Sequence, residues 1–132
     1  MSIRGNWEKH IKRNFDELDS PTVGTEYVGT SITSSGNGSE ATSTEFPDNP
    51  HIKFYNDDRG YLICTLKPES WTTDYRVVKA VNNPAPQPAM TLATFVTEAG
   101  NPDAQLSSGA PVTTQGAASE TESLERSRIQ AQ

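Results

Sequence analysis

The chain has 132 residues, a formal net charge of −6 and 33% hydrophobic residues, against about 45–50% in an ordinary globular chain. These figures bound it to one domain with a small core, and the acidic balance argues against nucleic acid or an anionic membrane surface as a partner, because like charges repel. No apolar run approaches the about 20 residues of a spanning helix, and the start Met1-Ser2-Ile3-Arg4 lacks an apolar export segment, so the expectation is a chain with neither anchor nor signal.

Asn6 reads as a helix N-cap, and Trp7, Ile11, Phe15 and Leu18 follow at spacings of four, four and three, one face of a helix. Glu8, Lys9, Lys12, Arg13, Asp16 and Glu17 fill the other face, and Asp19-Ser20-Pro21 ends the element. An amphipathic surface helix is therefore predicted. A strand is expected from Thr25 to Thr33, with Gly29 marking a bulge or a close approach. Ser34 to Thr44 is polar and low in complexity, a loop with nothing to bury.

His51 to Val78 gathers most of the usable apolar material and reads as three consecutive strands. Tyr55 to Gly60 carries a hairpin signal, with Asn and Asp tolerant of left-handed angles and Gly60 free to take φ > 0. Tyr61, Ile63 and Thr65 alternate with Leu62, Cys64 and Leu66, so apolar groups lie on both faces and the strand is expected to be covered on both sides. Cys64, the lone cysteine, can close no internal disulfide and reads as a buried, inert thiol. After a turn at Lys67-Pro68-Glu69-Ser70, Trp71, Thr73, Tyr75 and Val77 share a buried face opposite Thr72, Asp74 and Arg76. A proline-stiffened linker over Asn82 to Pro88 leads to a final edge strand, Met90 to Val96. Residues 101–132 read as a disordered tail, with weak helix around Ser119 to Ile129. The expected fold class is α+β, mostly antiparallel strands with one helix, in a domain spanning 1–100.

The chemistry-bearing residues are sparse. His10 and His51 are the only histidines, and Asp16, Asp19, Asp48, Asp57, Asp58 and Asp74 do not form a spacing that would converge on one ion. Asn56-Asp57-Asp58 is oxygen-rich but lacks the spaced acids of an EF-hand loop. No Gly-x-Ser-x-Gly elbow is present for a serine hydrolase. Neither a catalytic residue nor a metal ligand is assigned. Thr30, Ser31, Ser34, Ser35 and Gly36 form a small polar turn whose backbone N–H groups could rim a phosphate-binding cleft.

Several ordered blocks resemble a known family: Asn6-Trp7, Phe15-Asp16, Ser20 to Ile32, Asn49-Pro50-His51-Ile52-Lys53-Phe54, Arg59-Gly60-Tyr61 and Trp71 to Val78. Together, from about Ile3 to Ala104, they resemble the C-terminal portion of the PhoD-type alkaline phosphatases. The resemblance implies part of a two-sheet metallophosphatase sandwich, hydrolysis of phosphate mono- and diesters, calcium and iron as the intact family's metals, and export from the cytoplasm. It also implies a Gly-Asp-x-His metal block just before the Asn-Trp pair. In this chain Ser2 stands at the aspartate position and Arg4 at the histidine position. A serine hydroxyl is a weak ligand and a guanidinium has no lone pair to donate. The expectation is thus a C-terminal phosphatase fragment that is inactive alone and holds no cofactor, with a phosphate ester as substrate only where the upstream part is present. The alternative is a non-catalytic β module that completes a sandwich with another chain, a missing N-terminal half included.

Overall fold

The chain in this computed structural model is described over residues 5–32, 34–38 and 42–109. Its strands are β1 (Asn6–Lys12), β2 (Thr22–Val28), β3 (Thr42–Ser43), β4 (Ile52–Asn56), β5 (Arg59–Lys67), β6 (Ser70–Val78), β7 (Met90–Glu98) and β8 (Gln105–Gly109). They form two antiparallel four-stranded sheets, ordered β2-β1-β4-β3 and β5-β6-β7-β8. Among the described residues there is no helix, so the architecture is all-β and not α+β.

The expected helix is replaced by β1 and the hairpin loop after it. Asn6, Glu8 and His10 are buried at every second position, while Ile11 is 41% exposed. A spacing of four, as between Trp7 and Ile11, puts two residues on one face of a strand as well as of a helix. The apolar period therefore did not discriminate, and the true inward face was hidden because it is polar. Phe15 and Leu18 lie outside any strand and are exposed. The loop is closed by Arg13 N–H to the Pro21 carbonyl at 3.0 Å and Asn14 N–H to Ser20 Oγ at 2.9 Å.

Tyr55 to Gly60 is likewise no hairpin. β4 pairs with β1 and β3, β5 pairs with β6, and the chain crosses from one sheet to the other between Asn56 and Arg59. Gly60 is required by close approach and not by a positive φ: a Cβ there would lie 1.9 Å from the Arg76 carbonyl oxygen. The predicted turn at Lys67 to Ser70 does form, with Lys67 opposite Ser70 in a register that runs to Arg59 opposite Val78.

The core lies between the sheets. Phe54 of β4 meets Tyr75 of β6 and Phe95 of β7 at ring-centroid distances of 4.9 and 5.6 Å, and Ala93 and Ala104 complete the buried cluster. Thr73, Tyr75 and Val77 face inward as the alternation of β6 predicts. In β7 the inward residues are Ala93 and Phe95, and the strand is interior, paired on its far side with β8. The stretch from 101 is therefore not all tail: Ala104 is buried and 105–109 is strand, while 110–132, including the expected weak helix, lie outside the described residues.

β5 is an edge strand, and the expectation that it is covered on both faces does not hold. Tyr61, Ile63 and Leu66 are exposed, and so is the Cys64 thiol, which had read as buried. Strands β5, β6 and β7 have nine residues each, whereas the facing sheet offers seven at most, so the Leu66 end outruns its cover.

Candidate functional site

The inward face of β1 carries three buried polar side chains in a row, Asn6, Glu8 and His10, and each end of that row builds a polar site. At the first end, Asn6 Nδ2 donates to Asn56 Oδ1 at 3.3 Å and to the Asp58 carbonyl at 3.1 Å, while Asn6 Oδ1 accepts from Thr30 N–H at 3.1 Å. Asn56 in turn donates to Thr42 Oγ1 at 3.3 Å and to an Asp58 carboxylate oxygen at 3.2 Å, and its Oδ1 accepts from Asp58 N–H at 2.9 Å. Side-chain amides serve here because each supplies donors and acceptors at once.

Next to this network, buried Arg59 organises the polar turn. Its Nε donates to the Gly36 carbonyl at 2.8 Å, Nη2 to the Ser35 carbonyl at 2.9 Å and Nη1 to Thr30 Oγ1 at 3.3 Å. The structure thus brings Thr30, Ser35 and Gly36 together around one guanidinium, while the Ser31 and Ser34 hydroxyls pair with each other. Carbonyl oxygens, which suit a cation, are what this turn directs at Arg59. Sequence reasoning missed Arg59, Asn6 and Asn56, because an Arg beside a Gly and two isolated Asn carry no long-range signal.

At the other end of the row, Glu8 is fully buried. Its Oε1 lies 3.5 Å from His10 Nε2, and His10 Nδ1 lies 3.3 Å from Asp103 Oδ1. Both Glu8 oxygens, His10 Nε2 and Asp103 Oδ1 are buried without a well-formed hydrogen bond. Burial pushes the Glu8 carboxyl up to about 8, with Lys53 opposing and Asp103 reinforcing the shift. Burial also lowers the His10 imidazole below its ordinary value, against the pull of Asp103. His10, Lys53, Phe95, Asp103 and Leu106 border a cleft of about 430 Å³ beside the cluster.

The remaining candidates are scattered. His51 packs edge-on against Phe15 at 5.2 Å. Asp74 accepts from Thr94 Oγ1, while Arg76 donates to Thr91 Oγ1 and the Ala89 carbonyl. Among the described residues, no group of three or more His, Cys, Asp or Glu is arranged to hold a metal ion. The Glu8–His10–Asp103 set fails on geometry, since His10 turns opposite ring nitrogens to the two carboxylates and one ion cannot use both. The donor set on the described strands therefore does not fit a metallophosphatase centre. Ser2 and Arg4 lie outside the described residues.

Three comparisons give the relationship. The family model for PhoD-like phosphatase matches residues 3–75. Alkaline phosphatase D of Bacillus subtilis (strain 168) is 36% identical over 130 residues, a match that covers 96% of this chain and 22% of that protein. A solved structure of PhoD superposes with a TM-score of 0.73 at 34% identity, covering 85% of this chain and 22% of that one. The chain thus spans about a fifth of the length of the relatives it matches. It belongs to the PhoD-like phosphatase family.

Proposed function

We propose that this chain is a framework segment of a PhoD-like phosphatase, holding the shape beside the metal centre without supplying its ligands, and that alone it hydrolyses no phosphate ester. The observation that carries this reading is the commitment of Asn6, in the strand that directly follows Ser2 and Arg4, and of Asn56 and Arg59, at the crossing from β4 to β5, to partners within the fold. Those two positions, where the resemblance places Asp and His, hold side chains with little or no capacity to bind a cation. Mono- and diester hydrolysis with calcium and iron, and export, belong on this reading to the remainder of the phosphatase.

A direct test is the release of nitrophenol from nitrophenyl phosphate and bis-nitrophenyl phosphate by the purified chain with added calcium and iron. The expected result is no turnover above the metals alone. Sustained, protein-dependent turnover that survives repurification would overturn the assignment.

A second reading, a β module that docks another chain, is favoured by one observation. The edge strand β5 leaves Tyr61, Ile63 and Leu66 exposed, with Trp71 of β6 also exposed opposite Leu66. A sheet edge bearing apolar groups is a surface that proteins ordinarily cover. Sedimentation over a range of concentrations tests it: association of the chain supports a docking role, and a monomer at every concentration argues for the framework reading alone.

A further inference from the structure

The cluster at the His10 end of β1 plays no part in the function proposed above. Glu8 and His10 project from one strand of the first sheet, while Asp103 belongs to the connection between β7 and β8 of the second. That connection is also held by Thr25 of β2, whose Oγ1 donates to the Pro102 carbonyl at 2.7 Å and accepts from Ala104 N–H at 3.3 Å. The imidazole is thus the side-chain link from Glu8, deep between the sheets, to a segment at the rim of the cleft.

A proton count decides what this link can do. A neutral imidazole has one N–H and one lone pair. If Nδ1 carries the hydrogen, it donates to Asp103 and leaves the Nε2 lone pair facing Glu8, which is tolerable only if Glu8 is the neutral acid and donates to Nε2. If the imidazole is instead a cation, both nitrogens donate and both carboxylates accept. In either arrangement the Glu8–His10 pair holds one ionisable proton beyond the imidazole's single N–H, and the four facing atoms, Glu8 Oε1, His10 Nε2, His10 Nδ1 and Asp103 Oδ1, are all partnered. Without that proton, one carboxylate must face a lone pair whichever tautomer forms; a fully buried Glu8 without a donor is strongly disfavoured, so the single N–H turns to Glu8 and the partly exposed Asp103 loses its donor.

We infer that Glu8 and His10 share one proton that latches residues 102–104 onto β1, and that its loss in alkaline solution releases this segment from the first sheet. Around the pair, Lys53 of β4 and Lys12 of β1 are the cations and Asp103 the partly exposed anion, while Tyr27 of β2 and Tyr75 of β6 contribute neutral phenols. The lysines favour loss of the proton, and Asp103 and burial of the carboxylate favour keeping it. Release would open the cleft on its Asp103 and Ala104 side, because those residues form part of its wall.

Amide exchange in the full chain tests the latch. After correction for base-catalysed intrinsic exchange, protection of the Ala104 amide is expected to fall about tenfold or more between about pH 7 and pH 9.5. In Glu8→Gln, whose amide donates to Nε2 and cannot ionise, protection should stay level across that range. Loss of protection in Glu8→Gln equal to that of the parent chain would overturn the latch, as would a level profile in both. Should the variant fail to fold, the carboxyl carbon of Glu8 in the parent chain decides by its titration in the NMR spectrum. A midpoint above about pH 7 supports the shared proton, and one near the ordinary glutamate value refutes it.

Discussion

Tyr75, fully buried on β6, donates its phenol hydrogen to the Trp7 carbonyl of β1 at 2.5 Å, so the residue that centres the aromatic core also pins the two sheets together. Its ring packs against Phe54 and Phe95 at 4.9 and 6.0 Å. Burial raises the phenol well above its ordinary value, which keeps the donor protonated. Tyr75→Phe would retain the packing and leave the Trp7 carbonyl without this donor. The expected cost is about 1–3 kcal/mol, read as a lower urea midpoint with an unchanged slope.

Gly60→Ala should be among the most damaging single-methyl changes in the chain. The added Cβ would sit 1.9 Å from the Arg76 carbonyl oxygen, in backbone that is held by the β5–β6 register. About 3 kcal/mol or more is expected, since backbone and not a side-chain tip must move. Gly29→Ala provides the contrast. There the Cβ would meet Leu62 Cγ at 3.2 Å, and a leucine rotamer can yield, so thermal unfolding should register a loss of about 1 kcal/mol or less.

Arg59 holds Thr30, Ser35 and Gly36 by three donors aimed at two carbonyls and a hydroxyl. Arg59→Lys keeps the charge and loses the planar fork, so it is not conservative at this site. About 2 kcal/mol of stability should go, in line with hydrogen bonds to a charged group. Limited proteolysis should then cut within 30–38 faster than in the parent chain, and unchanged cleavage would count against the clamp.

The pH dependence of stability follows from Glu8. Its carboxyl is raised from 4.5 to about 8 in the folded chain, so between those values the folded state holds a proton that the unfolded state has released. Stability is therefore greatest on the acid side and falls as pH rises toward about 8, by up to about 1.4 kcal/mol per pH unit. His10 acts in the opposite sense below its ordinary 6.5, because its folded value is lowered, so the clearest window is from 6.5 to about 8. Urea unfolding across this window should show the fall, and Glu8→Gln should flatten it.

Much of the second sheet was legible in the sequence and much of the first was not, for a physical reason. β6 alternates Thr73, Tyr75 and Val77 inward against polar neighbours, and the turn before it carries proline at position 68, so period and punctuation agree. β1 inverts the usual code, with Asn6, Glu8 and His10 inward and Trp7 and Ile11 outward. A pattern method that equates inside with apolar must misread such a strand. The same inversion conceals the polar sites, since the sequence pattern puts Glu8 on the wet face of a helix and Asp103 in a tail. Their meeting depends on β7 and β8 folding the chain back by about ninety residues, which no local signal encodes.

The turn residues Thr30, Ser31, Ser34, Ser35 and Gly36 were legible as a polar loop, but their organiser was not. Arg59 reaches them from more than twenty residues away. Likewise Tyr55 to Gly60 showed turn chemistry correctly and pairing incorrectly: Asn56 and Asp58 do bend the chain, but by crossing between sheets. Local residues specify a bend, whereas the partner of each strand is set by what its inward face can bury.

The claim that this chain frames a phosphatase site without ligating its metals is tested most directly by elemental analysis of the purified chain after incubation with calcium and iron and exhaustive dialysis. Metal well below one equivalent per chain is expected, with no change in thermal midpoint on adding either ion. Retention of a full equivalent, with a matching rise in midpoint, would contradict it and place a metal centre within these residues.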